Sequence, residues 1–169
     1  PEGSPAGVDL LLASEIGQHT GSFKFRAAYN VAASVPHPRI ITASSGNFGQ
    51  ALAYACKLLG KTCTVVMPTT SAAVKIAGAR AHGATVELID TAVTSRAARV
   101  TALAAADPEA YVASAYDDPL VIEGNASLGD EIGQRTPDAV ITPVGGGGLA
   151  AGIFTGARRS GAPIELLGA

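Results

Sequence analysis

One lysine of this chain stands where a helix does not favour a cation. Lys24 lies in His19-Thr20-Gly21-Ser22-Phe23-Lys24-Phe25-Arg26, in the first turn of a predicted helix, just after a Gly-Ser turn. The start of a helix carries partial positive charge, which pushes an amine there toward its neutral form. A neutral lysine amine is the nucleophile that forms a Schiff base with an aldehyde. On position alone, a solvent-exposed lysine on a frayed turn is the simpler reading.

Two further segments carry chemistry. In Thr42-Ala43-Ser44-Ser45-Gly46-Asn47-Phe48-Gly49-Gln50, a β-branched run ends in two hydroxyls, a glycine and an amide before an amphipathic helix. Backbone N–H groups and hydroxyls at such a start suit a carboxylate or phosphate. Taken alone, a capped helix with Ser45 or Asn47 as its N-cap explains the pattern equally simply. In Val144-Gly145-Gly146-Gly147-Gly148-Leu149, four consecutive glycines separate a strand from a helix. They let the backbone wrap an anion and aim several N–H groups at it. The lysine and hydroxyl of a Walker loop are missing, and so is the spacing of a dinucleotide fingerprint. A flexible turn is the weaker reading, because four adjacent glycines are entropically costly. The three segments together supply an amine nucleophile, an anion-binding loop and a phosphate cradle.

The elements that must position them alternate regularly. Strands are predicted over 8–14, 39–43, 62–67, 85–89, 111–113, 139–144 and 164–167. Helices are predicted over 22–33, 47–59, a stretch capped by Ser71 and ending near Gly83, 94–106, 119–135 with an interruption near Gly124, and 148–159. Gly60 supplies a left-handed stop. Short buried strands joined by helical crossovers argue an α/β fold, a parallel sheet covered by helices on both faces. Ligands in such sheets bind beyond the carboxyl ends of strands, and both loops lie at such ends.

Composition removes other classes. The net charge is -2 and no basic block occurs, so nucleic acid is not an expected partner. No apolar run reaches the ~20 residues of a membrane span. The N-terminus, PEGSPAGVD, has no basic region followed by an apolar core, so no signal peptide is read there and the cytoplasm is the default compartment. Cys56 and Cys63 form no metal-ligand pattern with the three histidines. They read as buried thiols of a reducing compartment.

The three motifs and their order carry a resemblance over nearly the whole chain. TGSFKFR (20–26) resembles the T-G-S-F-K-x-R lysine motif of the serine/threonine dehydratase and serine racemase group of fold-type II pyridoxal-phosphate (PLP) enzymes. SSGNFGQA (44–51) resembles that group's S-S-G-N-H-G-Q-A substrate loop, and VGGGGLAAGI (144–153) its phosphate loop. The resemblance implies that Lys24 carries PLP as a Schiff base and later takes or returns the substrate Cα proton. It implies that Gly145, Gly146, Gly147 and Gly148 hold the phosphate and that Asn47 meets the ring hydroxyl. Ser44, Asn47 and the backbone of Phe48 would bind the substrate carboxylate. Ser45 stands where racemases and some dehydratases keep a second acid/base, and Phe23 would pack beside the cofactor. The implied reaction is deamination of L-serine or L-threonine to a 2-oxo acid and ammonia, with PLP as electron sink. A homodimer is implied as well.

The motifs also depart from the group. Phe48 replaces a histidine, Ser114-Ala115-Tyr116-Asp117-Asp118-Pro119 resembles H-P-F/Y-D-D-P with its first two residues changed, and Gly124-Asn125-Ala126-Ser127 stands where G-Q-G-T is usual. These changes blur substrate specificity. The group's members are longer, so the chain reads as a fragment of a two-lobed enzyme truncated at both ends. On this reading 46–117 forms the small lobe, and 1–45 with 118–169 forms part of the large, PLP-binding lobe. The group's pyridine-nitrogen partner and acidic metal site would lie beyond residue 169, so no metal ligand is assigned. Amino-acid racemisation and a non-catalytic PLP-binding module are the alternatives. A cysteine-synthase-type enzyme would have Asn-Pro before T-G-S and an aspartate after the lysine, where His19 and Phe25 stand. A Rossmann protein could use Glu165 for ribose but leaves the lysine motif unexplained.

Overall fold

The computed structural model describes residues 7–161 and 163–169. The reading of the first six residues, on which the absence of a leader partly rests, lies outside them. A short 3-10 turn, His19–Gly21, leads into α1 (Lys24–Ser34). There follow β1 (Arg39–Ala43), α2 (Asn47–Leu58), β2 (Thr62–Pro68), α3 (Ala73–Ala81), β3 (Thr85–Ile89), α4 (Arg96–Ala106) and β4 (Ala110–Ala113). The chain ends with α5 (Pro119–Gly133), β5 (Ala139–Thr142), α6 (Gly148–Arg159) and β6 (Glu165–Gly168). Strands β1 to β4 form one parallel sheet in the order β3-β2-β1-β4, and β5 pairs in parallel with β6.

Alternation along the strands explains the two cores. Ile40, Cys63, Val65 and Met67 point to one face of the larger sheet and pack with Val31 of α1 and Phe48 and Leu52 of α2. Ile41, Val66 and Ile89 point to the other face and pack with Val100 of α4. Both faces are therefore covered, as a sheet made of β-branched runs requires. Local signals set the helix ends. The Ser95 hydroxyl accepts from Ala98 N–H at 3.0 Å to start α4. Buried Asp118 accepts from Leu120 N–H at 2.8 Å ahead of Pro119, a charged cap followed by proline at the first helical position. Gly60 adopts φ 67° just past α2.

Helices α5 and α6 approach closely because small residues line their contact. A Cβ on Gly152 would strike Asn125 and come 2.8 Å from the Ile122 carbonyl oxygen. Gly124 does the same for α1, where a Cβ would lie 2.6 Å from the Arg26 carbonyl oxygen. This is why α5 runs on without the interruption predicted near Gly124: the glycine admits a neighbouring backbone rather than ending the helix. Two other expectations are not met. Residues 8–14 form no strand, and Leu11 and Leu12 are 71% and 75% exposed with no partner strand beside them. Ser71 does not cap α3: Ala72 holds that position, and the Ser71 hydroxyl is buried without a partner. Among the described residues, no helix is long and apolar enough to cross a membrane.

Candidate active site

The strand order places a crevice in the larger sheet. The chain lays down β1, β2 and β3 in one direction and then returns to put β4 on the other side of β1. The carboxyl ends of β1 and β4 therefore flank a topological switch point, where open parallel sheets bind ligands. The Thr42 hydroxyl donates to the Ala113 carbonyl at 2.9 Å and ties these two strands together in the interior.

Beyond β1, the Ser44 hydroxyl accepts from Gly49 N–H at 3.1 Å and from Gly46 N–H at 3.4 Å. It thereby folds the loop back over the start of α2. Gly46 is the N-cap residue and has no side chain to cap with; the Ser44 hydroxyl takes the Gly49 N–H of the first turn instead, so neither Ser45 nor Asn47 serves the capping role that alone could have explained them. Ser45 is half-buried and Asn47 exposed. Gly49 is required by crowding: a Cβ there would lie 2.7 Å from the Ser44 carbonyl oxygen and 2.9 Å from Val65. The Phe48 side chain is 2% exposed and belongs to the core. An apolar ring thus fills the position where the resembling motif carries histidine.

Beyond β4, the Ser114 hydroxyl accepts from Asp117 N–H at 3.0 Å and shapes a turn. The Ala115 carbonyl in that turn accepts from Lys24 Nζ at 2.9 Å. Lys24 is the first residue of α1. Its amine is half-buried, with the Phe23 ring centroid 5.0 Å away and that of Phe48 5.9 Å away. Burial lowers its pKa below the ordinary lysine value. Desolvation thus moves this amine in the direction expected from the sequence. A solvated lysine on a frayed turn does not describe it.

The four glycines meet that amine. Lys24, Phe23, Tyr116, Pro143, Leu149 and Gly145, Gly146, Gly147 and Gly148 line a cavity of about 230 Å³. Gly147 adopts φ 84° as the N-cap of α6. A Cβ on Gly146 would strike the Tyr116 ring, and one on Gly148 would come 2.6 Å from the Tyr116 carbonyl oxygen. The loop is therefore a fitted cradle, not a loose turn. Asn125, fully buried, donates from Nδ2 to the Gly148 carbonyl at 3.1 Å and pins the start of α6. These residues fit PLP: an amine whose pKa burial lowers for its aldehyde, a helix start with bare backbone for its phosphate, and apolar walls for its ring. The cavity is smaller than the ~300 Å³ at the low end for drug-sized ligands, which suits a compact cofactor rather than a dinucleotide. A larger groove of about 440 Å³ between α1 and α5 is a different place. It holds Arg26, whose charge is taken up by Glu15 and Glu131.

Lys24 and the four glycines, separated by more than a hundred residues, thus share one cavity. Ser44, Ser45 and Asn47 lie on the neighbouring loop and do not line it, while Phe48 connects the two through its ring. Sequence reasoning gave no role to Ala115, Tyr116 or Asn125. A signal existed for the first two, since they follow β4 directly and β4 borders the switch point. Asn125 could be found only from its burial.

The comparisons agree with this geometry. The chain matches the pyridoxal-phosphate dependent enzyme family over residues 3–169. It is 36% identical to the L-threonine ammonia-lyase of Geobacter sulfurreducens, covering 96% of this chain and 42% of that protein. It is 38% identical to the serine racemase of Mus musculus, covering 88% of this chain and 46% of that protein. The crystal structure of serine racemase from Dictyostelium discoideum superposes with a TM-score of 0.85 at 34% identity, over 92% of this chain and 52% of that one. The chain spans less than half the length of the two sequence relatives, and the superposition matches its α/β fold to part of the fold-type II architecture. This chain belongs to the family of pyridoxal-phosphate-dependent enzymes, within the branch of threonine and serine deaminases and serine racemases, and PLP is the cofactor that family uses.

Proposed function

We propose that this chain supplies the cofactor and substrate loops of a PLP-dependent ammonia-lyase that deaminates L-threonine or L-serine to a 2-oxo acid and ammonia. The observation that carries the proposal is the half-buried Lys24 amine held against the Gly145, Gly146, Gly147 and Gly148 cradle beside the switch point. When bound, PLP supplies the electron sink that makes a Cα proton removable. The chain's residues do the rest. Lys24 would attach the cofactor, and its amine, whose pKa burial lowers, would take the Cα proton once the substrate amine has displaced it. The backbone N–H groups of the glycine loop and the start of α6 hold the phosphate, and Asn47 meets the ring hydroxyl. Ser44, Asn47 and the Phe48 N–H bind the substrate carboxylate. The β-hydroxyl leaves as water, and water is taken up again as ammonia is released.

A second reading, amino-acid racemisation, has its own support in the serine racemase relatives and in a free hydroxyl at Ser45, which caps no helix. It uses the same apparatus, with Ser45 as acid/base on the opposite substrate face. The compartment proposed is the cytoplasm, in keeping with two free, buried cysteines, and the assembly proposed is a homodimer. The lobe division is proposed too, with one adjustment. Since β1 is a central strand of the larger sheet, the small lobe takes it in, and the boundary moves from residue 46 to the turn before Arg39.

The test is spectroscopic and chemical. With PLP added, the chain is expected to gain a long-wavelength absorbance that borohydride abolishes, and peptide mapping is expected to find the reduced adduct on Lys24. An adduct on another lysine would sink the assignment. With L-threonine or L-serine, 2-oxo acid formation supports the lyase. Formation of the D-isomer, lost in Ser45→Ala while deamination persists, supports the racemase. An adduct with neither product would leave a PLP-binding module.

A further inference from the structure

The loop proposed to bind the substrate carboxylate offers only neutral groups of its own. Ser44 spends its hydroxyl lone pairs on Gly46 and Gly49 N–H, and Ser45 and Asn47 add a hydroxyl and an amide. A carboxylate leaving water is held more strongly where a charge is added to hydrogen bonds. A cation other than Lys24 faces this loop. Lys75 Nζ lies 4.0 Å from the point that a Cβ on Gly46 would occupy, and no other described atom outside residues 45–47 lies within 4 Å of that point. The absence of a side chain at Gly46 thus leaves open a gap bounded on one side by the loop and on the other by an ammonium group.

Lys75 is not placed there as an ordinary surface lysine. It sits in the first turn of α3, with no acidic residue beside it to offset the helix charge, a position that disfavours a cation. It is half-buried, and among the described residues it has no ion pair and no side-chain hydrogen bond. One turn on, Gly78 lies so close to Gln50 of α2 that a Cβ would come 2.9 Å from its amide carbon. This contact fixes α3 against the start of α2 and holds Lys75 over the loop. Lys24 and Lys61, by contrast, each donate to a backbone carbonyl.

We infer that Lys75 is a substrate-binding residue, the counter-ion for the α-carboxylate of an amino acid lodged against the loop at Gly46. The inference rests on the proposed function only in taking loop 44–49 as the carboxylate loop. Lys75 is not needed for cofactor attachment, so its removal separates substrate binding from PLP binding.

The experiment loads the full chain with PLP and follows the cofactor absorbance while titrating L-serine and, separately, L-serinamide, which lacks the carboxylate charge. Lys75→Gln and Lys75→Met are expected to weaken L-serine binding by about ten- to a hundredfold, as for loss of a charge-assisted hydrogen bond. Affinity for L-serinamide and for PLP should not change, and Lys75→Arg should recover most of the lost L-serine affinity. L-serine binding as in the unsubstituted chain in both neutral variants would overturn the role of Lys75 alone. A PLP-loaded, unsubstituted chain that responds to neither L-serine nor L-threonine would overturn the carboxylate-loop reading, and the role of Lys75 with it.

Discussion

Lys24 shows how one burial decision sets reactivity. Its amine is surrounded by two phenyl rings and a carbonyl oxygen with no carboxylate partner, so desolvation is not repaid and the neutral form gains. The rate of PLP capture by the chain should therefore rise with pH about a midpoint below the ~10.4 of a free lysine side chain. Stopped-flow absorbance against pH measures it, and a midpoint at the free value would remove burial as the cause. The same depression makes the unfolded chain bind more protons than the folded one, so this residue's contribution to stability grows as pH rises from the lowered folded value to ~10.4. Gly146 belongs to the same scale. Gly146→Ala would drive a methyl group into the Tyr116 ring, and the cradle must open to admit it. PLP affinity, read by absorbance titration, is expected to fall at least about tenfold while Tm changes little, because the loop is solvent-exposed. The Lys24 motif was legible in the sequence, yet the reason for its reactivity was not. A helix start can be read from residue order, whereas the burial comes from Phe48 and Ala115, brought in by folding.

At the scale of elements, packing overrode local grammar wherever the two conflicted. Glycine read as a break in α5 because glycine weakens isolated helices; Gly124 and Gly129 instead let α1 and α6 lie backbone to backbone against it. The apolar run 8–14 read as a strand but has no neighbour to pair with, and backbone pairing cannot be inferred from hydrophobicity alone. Strands β1, β2 and β3 were legible nearly to the residue because their β-branched runs are bounded by Pro38, Gly60 and Gly83. Two consequences can be measured. Gly152→Ala should destabilise the chain by about 2–3 kcal/mol in urea unfolding, since its methyl group meets Asn125 and the Ile122 carbonyl on a rigid helix. Asp118→Ala should cost about 1–2 kcal/mol for the lost cap, with a further loss because the Tyr111 hydroxyl, which donates to Asp118 at 2.9 Å, is left unpaired. Burial first, and then this carboxylate, push the Tyr111 pKa up to about 12. The unfolded tyrosine ionises near 10. Tyr111 thus contributes its full stability below pH ~10 and loses it as pH rises through about 12.

The described residues form one four-stranded sheet and one two-stranded sheet. The four-stranded sheet is covered on both faces, but β5 and β6 stand as a pair, with Ile141 72% exposed, Val144 50% and Leu167 42%. Two strands are too few for a stable sheet by themselves, and an uncovered apolar edge invites association. Ile141→Lys is expected to raise the monomer fraction of the chain in sedimentation velocity without altering borohydride trapping at Lys24. An unchanged size distribution would show that this surface does not drive association. The order β3-β2-β1-β4 also bears on synthesis. Strand β4 can dock on β1 only after some seventy intervening residues have emerged, and such long-range pairing is slow. The cavity at Lys24 is therefore complete only once that pairing has carried Ala115 and Tyr116 beside the glycine loop.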